Sequence, residues 1–194
     1  YDARREMPGW DRPGFDDTVW SKVSVGASVL PLIQAFPGVP VQVFKEIEPV
    51  GVTEPAPRTY VFDMGTNLAG MVRLKVRGKS GDTIVLRFAE RLNPDGMIYT
   101  ENLRSARATD TYICKGGGLE VWQPQFTFHG FQNVELTGYP GVADKDAVTA
   151  IELTSPPPVV GSFACSESTP NRLSANIGQT QRSNFIDIPT EGPQ

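Results

Sequence analysis

Three carboxylic acids, Glu90, Asp95 and Glu101, lie close together in the sequence, around a Pro-Asp-Gly turn. Carboxylate oxygens bind metal ions and accept hydrogen bonds from sugar hydroxyls, so a cluster of this kind could form a metal or sugar site. Asp and Gly in such a segment also form ordinary turns between strands, with the carboxylates in solvent. Both interpretations stay open at this point, and we favour the solvated turn.

A single histidine, His129, is present in the chain, between Phe128 and Gly130. Imidazole titrates near neutral pH and can act as a general base where a Ser or Cys nucleophile is close. The sequence around His129 contains no nucleophile motif. We therefore predict a structural role for His129 rather than a catalytic one.

The segment Arg104–Asp110 follows Tyr99 and carries two arginines. Aromatic rings stack on the faces of pyranoses and arginine is a strong hydrogen-bond donor, so this loop could contact carbohydrate. The alternative is a surface loop in which arginine and aspartate form exposed ion pairs. We favour the surface loop.

The composition limits the classes of partner and site. A net charge of −4 leaves no basic field to hold nucleic acid or an anionic membrane surface, and 39% hydrophobic residues indicate a globular chain. The sequence contains no glycine-rich phosphate loop, no Cys/His cluster and no apolar run near the ~18 residues of a membrane span, so we expect no cofactor and no metal. Cys114 and Cys165 could form a disulfide or remain free thiols, and we favour free thiols.

Apolar and polar residues alternate along the middle of the chain. Val72, Leu74 and Val76 alternate with basic residues, and a second run of this kind ends at Phe88. A period of two, bounded by Gly and Pro turns, predicts antiparallel strands with one buried face. Nine strands with little helix between them predict a mainly β fold, an antiparallel β-sandwich of the jelly-roll type. They are placed at 42–48, 59–63, 69–77, 82–90, 109–115, 118–122, 126–128, 131–137 and 148–155.

A short C-terminal helix is predicted after a linker of three prolines. Ser166 or Ser168 can cap its first turn, and Pro170 is compatible with that turn. Leu173 and Ile177 lie one turn apart, which gives the helix an apolar side.

Four motifs occur in a fixed order along the chain. They are Asp-Met-Gly-Thr-Asn-Leu-Ala-Gly at 63–70, Glu-Arg-Leu-Asn-Pro-Asp-Gly at 90–96, Gly-Ser-Phe-Ala-Cys-Ser at 161–166, and the closing segment Ser183–Gln194. Together they resemble the bacterial α-L-rhamnosidases of glycoside hydrolase family 78. One motif alone could arise by chance, whereas four in the family's order are hard to explain otherwise.

The resemblance implies an order of domains. Residues 1–23 are expected to be the tail of a preceding galactose-binding-like β-sandwich, 24–40 a connector, 41–155 the rhamnosidase β-sandwich, and 156–194 a linker and the first helix of a truncated catalytic domain. In the family this helix leads into an (α/α)6 barrel, which this sequence does not contain, and the general acid is expected just after Gln194. The resemblance therefore implies no catalytic residue in the chain, and we expect the chain alone to be inactive.

One substrate contact is also implied. The end of the chain, from Pro189 to Gln194, matches a family segment whose acidic residue holds rhamnose hydroxyls, which makes Glu191 the expected sugar ligand. A carboxylate can accept hydrogen bonds from two vicinal hydroxyls at once. Glu191 stands where the family usually has Asp, and Gly192 where it usually has Cys.

The Gly-flanked run Asp63–Gly70 is predicted to form a rigid loop where the sandwich meets the barrel. Within it, we expect Asp63 and Asn67 to hydrogen-bond the backbone of their own loop rather than a ligand. This places the loop's role in docking and not in chemistry.

The resemblance implies a function for the intact protein. We expect it to hydrolyse terminal α-L-rhamnose from glycosides with inversion, while this portion is a non-catalytic scaffold docked to its own barrel. The alternative is a stand-alone carbohydrate-binding or adhesion module, for which β-sandwiches are a common vehicle. The segment Ser183–Gln194 favours the enzyme, because a binding module has no reason to carry part of an active-site motif.

Overall fold

The structure, a computed structural model, describes residues 1–26 and 34–190. Those residues form twelve strands, one α-helix and three short 3-10 helices. The strands are β1 (Gln42–Ile47), β2 (Gly51–Ala56), β3 (Thr59–Val76), β4 (Thr83–Ala89), β5 (Arg91–Leu92), β6 (Ile98–Tyr99), β7 (Thr109–Ile113), β8 (Glu120–Trp122), β9 (His129–Thr137), β10 (Val148–Thr154), β11 (Phe185–Ile186) and β12 (Ile188–Pro189). The helix α1 is Ser168–Ser183.

Eight of the strands form one antiparallel sheet in the order β1-β10-β3-β9-β4-β7, with β2 and β8 also paired to β3. The first part of β3 pairs with β2, and the second part pairs with β10 and β8. Its pairing with β9 is interrupted between Asp63 and Leu68, where Gly65 has a φ of +72°. Irregularities of this kind bend a strand and increase its twist, and this sheet curls into a half-barrel.

The core lies between the two parts of the curled sheet. Phe62 from the first part of β3 and Leu74 from the second belong to one cluster of buried side chains, together with Leu86 and Leu136. Each of these four side chains is fully buried, and burial of one such side chain stabilises the fold by about 1.5–3 kcal/mol. The predicted alternation of buried and exposed residues is confirmed.

The first residues of the chain extend the edge of the sheet at β7. The Tyr1 amino group donates to the Thr111 carbonyl at 2.7 Å, and the Ile113 N–H donates to the Tyr1 carbonyl at 2.9 Å. Ala3 is buried in the main core. This segment therefore packs on the sheet rather than standing apart from it.

The predicted fold class, a mainly β antiparallel fold with one C-terminal helix, is confirmed, and its layers are parts of a single curled sheet. The strands predicted at 59–63 and 69–77 are one strand, β3, because the chain bends between them without leaving the sheet. Residues 126–128 form no strand, and Phe126 is almost fully exposed. Strand β2 was not predicted, because it contains Pro55 and proline is rare inside strands. Proline is tolerated here because β2 pairs only with β3, which leaves its other edge unpaired in the described sheet.

The N-terminus of α1 differs from its predicted form. Glu167 is the N-cap and its side chain makes no capping bond, so the predicted capping by Ser166 or Ser168 is wrong. The side-chain amide of Asn171 instead accepts from the Cys165 N–H at 2.9 Å and donates to the Cys165 carbonyl at 2.8 Å. This reciprocal pair satisfies the backbone of the preceding loop.

Gly70 provides a test of the close approach between β3 and β10. A Cβ atom at this position would lie 2.1 Å from the backbone carbonyl oxygen of Ile151. We expect Gly70→Ala to lower the free energy of unfolding by about 1–3 kcal/mol, because two paired strands would have to move apart. Urea denaturation measures this change. The control Gly118→Ala, at a site with no atom within 4 Å, should shift stability by no more than about 0.5 kcal/mol, and an equal loss in both variants would contradict the explanation.

Candidate functional site on the C-terminal helix

Helix α1 is attached to the sheet by polar contacts at the bend of β3. The side-chain amide of Gln179 donates to the Asn67 carbonyl at 3.1 Å and to Glu152 Oε1 at 3.0 Å. Arg182 donates to Gln179 Oε1, and its Nε lies 3.6 Å from the same Glu152 oxygen. The helix thus contacts both β3 and β10 through two side chains one turn apart.

Glu152 is the buried partner in this attachment. Its side chain is 2% exposed, while that of Arg182 is 33% exposed. A buried carboxylate requires compensation by hydrogen bonds and opposite charge, and here α1 supplies both. The guanidinium of Arg182 also lies 5.2 Å from the ring centre of Phe44 in β1, within the range of cation–π attraction.

A small hairpin follows α1 and is held on the end of β10. The Phe185 carbonyl accepts from the Ser155 N–H at 2.6 Å, and the Asp187 N–H donates to Ser155 Oγ at 2.9 Å. The Thr190 N–H donates to the Asn184 carbonyl at 2.7 Å. These bonds fix the chain direction up to Thr190.

An open cleft of about 1100 Å³ lies between α1 and this hairpin. Leu173 and Ile177, which line it, are each 59% exposed, so the predicted apolar side of α1 has no cover in the described part of the chain. No carboxylate is among the described residues that line the cleft. These are Leu173, Asn176, Ile177, Thr180, Gln181, Asn184, Phe185, Pro189 and Thr190.

Comparisons with known proteins identify the sheet and the helix separately. The family model described as the bacterial alpha-L-rhamnosidase concanavalin-like domain matches residues 53–154, more than half of the chain. The chain belongs to the bacterial α-L-rhamnosidases. A second model, the bacterial alpha-L-rhamnosidase 6 hairpin glycosidase domain, matches residues 158–194 and includes α1 and its hairpin.

Relatives match over the whole chain but are much longer than it. An alpha-L-rhamnosidase of Streptomyces avermitilis is 47% identical over all of this chain, which covers 19% of that protein. One of Formosa agariphila is 39% identical, again over the whole chain, which covers 21% of it. The crystal structure of the Streptomyces avermitilis enzyme complexed with L-rhamnose superposes with a TM-score of 0.94. A structure of the Dictyoglumus thermophilum enzyme, at 38% identity, superposes with a TM-score of 0.90. The chain spans about a fifth of the length of these α-L-rhamnosidases.

The residue predicted to hold rhamnose, Glu191, lies outside the described residues, as does Gln194, after which the general acid is expected. The structure describes the rhamnosidase segment only as far as Thr190, whose hydroxyl donates to the Ile188 carbonyl at 3.0 Å. The role of Glu191 therefore stays a prediction.

The three clustered acids are not brought together into a site. Glu90 Oε1 accepts from the Asn67 side chain at 2.8 Å, and Asp95 Oδ1 accepts from the Met97 N–H within its own turn at 3.0 Å. Glu101 is exposed in a separate 3-10 helix. Nowhere in residues 1–26 and 34–190 do three or more His, Cys, Asp or Glu side chains group so that they could hold a metal ion.

The run at 63–70, predicted to dock, contacts α1. The run is not a separate loop, since it is the bend inside β3. Asp63 Oδ1 accepts from the Gly65 N–H at 2.8 Å, a bond to its own backbone segment as predicted, and also from the Gln132 side chain at 3.0 Å. The prediction that Asn67 bonds the backbone of its own segment is wrong. Its side chain donates to Glu90, and its carbonyl accepts from the Gln179 side chain.

His129 is buried and packs against neighbouring side chains, and its structural role stays a prediction. Its ring stacks on Phe88 with 4.2 Å between ring centres, and its Nε2 lies 3.1 Å from Asp110 Oδ1. Both members of this pair are buried. Asp110 therefore faces inward, and within the described residues Arg104 and Arg107 form no ion pair. The predicted arginine–aspartate pairing on this loop is wrong.

Both cysteines are free, as predicted. Cys114 is buried and Cys165 is exposed, and burial raises the pKa of the Cys114 thiol to about 11. In the part of the chain that the structure describes, no helix is long and apolar enough to cross a membrane.

The attachment of α1 was not foreseen from the sequence. A signal was available, since Glu152 interrupts the apolar run Ala150-Ile151-Glu152-Leu153. A charged residue in a run of this kind requires a partner from outside the strand. The partners, Gln179 and Arg182, lie far along the chain, and spacing alone does not identify them.

Arg182 provides a test of the attachment. We expect Arg182→Gln to lower the free energy of unfolding by about 1–3 kcal/mol, because Glu152 would remain buried with its opposite charge removed. Urea denaturation and amide hydrogen exchange along α1 measure the loss, which should be concentrated in the helix. Arg172→Gln, an exposed arginine on the same helix, is the matched control, and equal destabilisation by the two variants would refute the role given to Glu152.

Proposed function

We propose that the whole protein is an α-L-rhamnosidase that removes terminal α-L-rhamnose from glycosides with inversion of configuration. This chain is then its non-catalytic β portion together with the first helix of the catalytic domain. The observation that carries the proposal is the match to enzymes named alpha-L-rhamnosidase along the entire chain, at up to 47% identity.

The chemistry agrees with a non-catalytic role. An inverting glycosidase requires an acid and a base about 6.5–9.5 Å apart, with room for a water between them. No described residue lining the C-terminal cleft carries a carboxyl group. Glu90 and Asp95 are bound by different partners, the Asn67 side chain and the Met97 N–H, so they do not converge on one substrate position.

The cleft on α1 is proposed to receive the helical barrel of the same protein. Support comes from the exposure of Leu173 and Ile177 on one side of the helix, while Gln179 and Arg182 attach its other side to the sheet. Support also comes from the 6 hairpin glycosidase match, which begins at residue 158 and includes α1. Burying the remaining 59% of each of these two side chains would contribute about 2–3.5 kcal/mol to docking.

The four-part organisation 1–23, 24–40, 41–155 and 156–194 is likewise a proposal. Its last boundary is supported by the two family matches, which end at 154 and begin at 158. For the first segment, the support is the exposure of Trp10 and Trp20, at 62% and 44%, which leaves large apolar surfaces for a preceding domain to cover.

Glu191 is proposed as the ligand of two rhamnose hydroxyls. It directly follows Thr190, whose backbone N–H is fixed by the Asn184 carbonyl. The fixed turn would set where the next carboxylate begins, and a carboxylate accepts from vicinal hydroxyls. The extra methylene of Glu relative to Asp would move the carboxylate further from the backbone.

Hydrolysis of a chromogenic aryl α-L-rhamnoside tests the main proposal. We expect activity in the chain extended through its barrel and none in the 194-residue chain, because the acid–base pair lies outside the latter. Activity in the short chain would place catalytic carboxylates among Glu90, Asp95, Glu101 and Glu191 and overturn the assignment. No activity in either form would favour a stand-alone carbohydrate-binding or adhesion module.

The role of Glu191 is tested in the extended, active protein. We expect Glu191→Gln to lower kcat/KM by about 10- to 100-fold, since a hydrogen bond to a charged group contributes about 1.5–3 kcal/mol. Glu167→Gln, whose side chain makes no capping bond to α1, is the control and should leave kcat/KM unchanged. Unchanged kinetics in Glu191→Gln would exclude Glu191 as a sugar ligand.

A further inference from the structure

A small cleft lies on the loop between β6 and β7, away from α1. It encloses about 210 Å³ and is lined by three arginines, two threonines and three apolar residues. These residues are Arg87, Arg104, Arg107, Thr100, Thr109, Leu103, Ala106 and Ala108. No acidic side chain lines it, although the whole chain has a net charge of −4. Such a local excess of positive charge favours an anion.

The loop that carries the cleft is firmly anchored. Leu103 packs on the main core and Ala108 belongs to it. The Phe88 N–H donates to the Ala108 carbonyl at 3.0 Å, and the Ala106 N–H donates to the Leu103 carbonyl at 2.9 Å. Arg104 and Arg107 project from this anchored backbone and are themselves exposed. A preorganised loop holds its donors in place at less entropic cost on binding.

The charges of the cleft are only partly compensated. Arg87 Nη1 donates to Glu135 Oε1 at 2.9 Å, and the Glu135 side chain is 3% exposed. Arg104 and Arg107 have no ion-pair partner among the described residues, since Asp110 is turned inward to His129. Within residues 1–26 and 34–190, nothing therefore occupies the donors of these two guanidinium groups, which are available to a ligand.

Arg104 also has an unusual backbone. Its φ of +55° and ψ of −109° lie outside the regions that residues with a Cβ prefer. A strained backbone at a non-glycine residue persists where the surroundings impose it, and such residues concentrate at ligand-binding sites. Here the strained residue is one of the two arginines without a partner.

We propose that this cleft binds the carboxylate of an acidic sugar unit. Guanidinium groups match a carboxylate through paired, charge-assisted hydrogen bonds. Thr100 and Thr109 also line the cleft, and a threonine hydroxyl can hydrogen-bond a ring hydroxyl. The volume is below the ~300–1,000 Å³ typical of drug-sized ligands, which fits a single sugar unit. That the anion belongs to a glycan rests on the proposed function, whereas the anion site rests on the cleft itself.

Titration of the isotope-labelled chain with D-glucuronate, followed by NMR, tests the proposal. We expect amide shifts concentrated at residues 100–109, and none there with neutral D-glucose. The double variant Arg104→Gln/Arg107→Gln should weaken binding by about tenfold or more, which corresponds to at least about 1.4 kcal/mol. Arg12→Gln, an exposed arginine elsewhere, should change it by less than about twofold. Where the double variant is unstable, Arg107→Gln alone serves the same comparison.

The outcomes separate the alternatives. Displacement of glucuronate by sodium sulfate would support the anion site, because both anions compete for the same guanidinium donors. Equal shifts with glucose, no shifts with glucuronate, or equal weakening by Arg12→Gln would each overturn the proposal. The binding experiment does not involve hydrolysis. Failure of glucuronate to bind would therefore leave the rhamnosidase proposal standing, and failure of the rhamnosidase proposal would leave the anion site intact.

Discussion

The long strand β3 is the element on which the other strands depend. It pairs with β2, β8, β9 and β10, so most of the sheet would lose its register if β3 were displaced. The interruption between Asp63 and Leu68 lets one strand serve both parts of the curled sheet. Apolar side chains from the two parts can then meet in one core, which no flat strand of this length would allow.

The same bend of β3 also contacts helix α1. The Asn67 carbonyl, at the interruption, accepts from Gln179, and Glu152 on the neighbouring strand accepts from the same side chain. The motif at 63–70 thus has two structural roles, since it bends the sheet and presents a backbone acceptor to α1. Neither role requires a ligand, which agrees with the proposed scaffold role.

Much of the fold followed from the sequence because its signals are local. The alternation through Val72, Leu74 and Val76 identified the inner face, and the turn glycines marked most strand ends. The continuity of β3 did not follow, since a bend inside a strand has the same sequence signature as a turn between strands. The helix attachment and the arginine cleft depend on pairs such as Glu152–Arg182 and Asp110–His129. Such contacts are long-range, and residue spacing does not encode them.

The burial of Glu152 determines where this portion could be exchanged between related enzymes. The three-proline linker is the obvious boundary in the sequence, yet a chimaera joined there would separate Glu152 from Gln179 and Arg182. The carbonyl of Phe185 likewise belongs with Ser155, on the other side of the linker. The transferable unit therefore ends after the hairpin at 185–190. Recombination that preserves the buried pair must carry α1 with the sheet, although the family model that matches the helix is that of the 6 hairpin glycosidase domain.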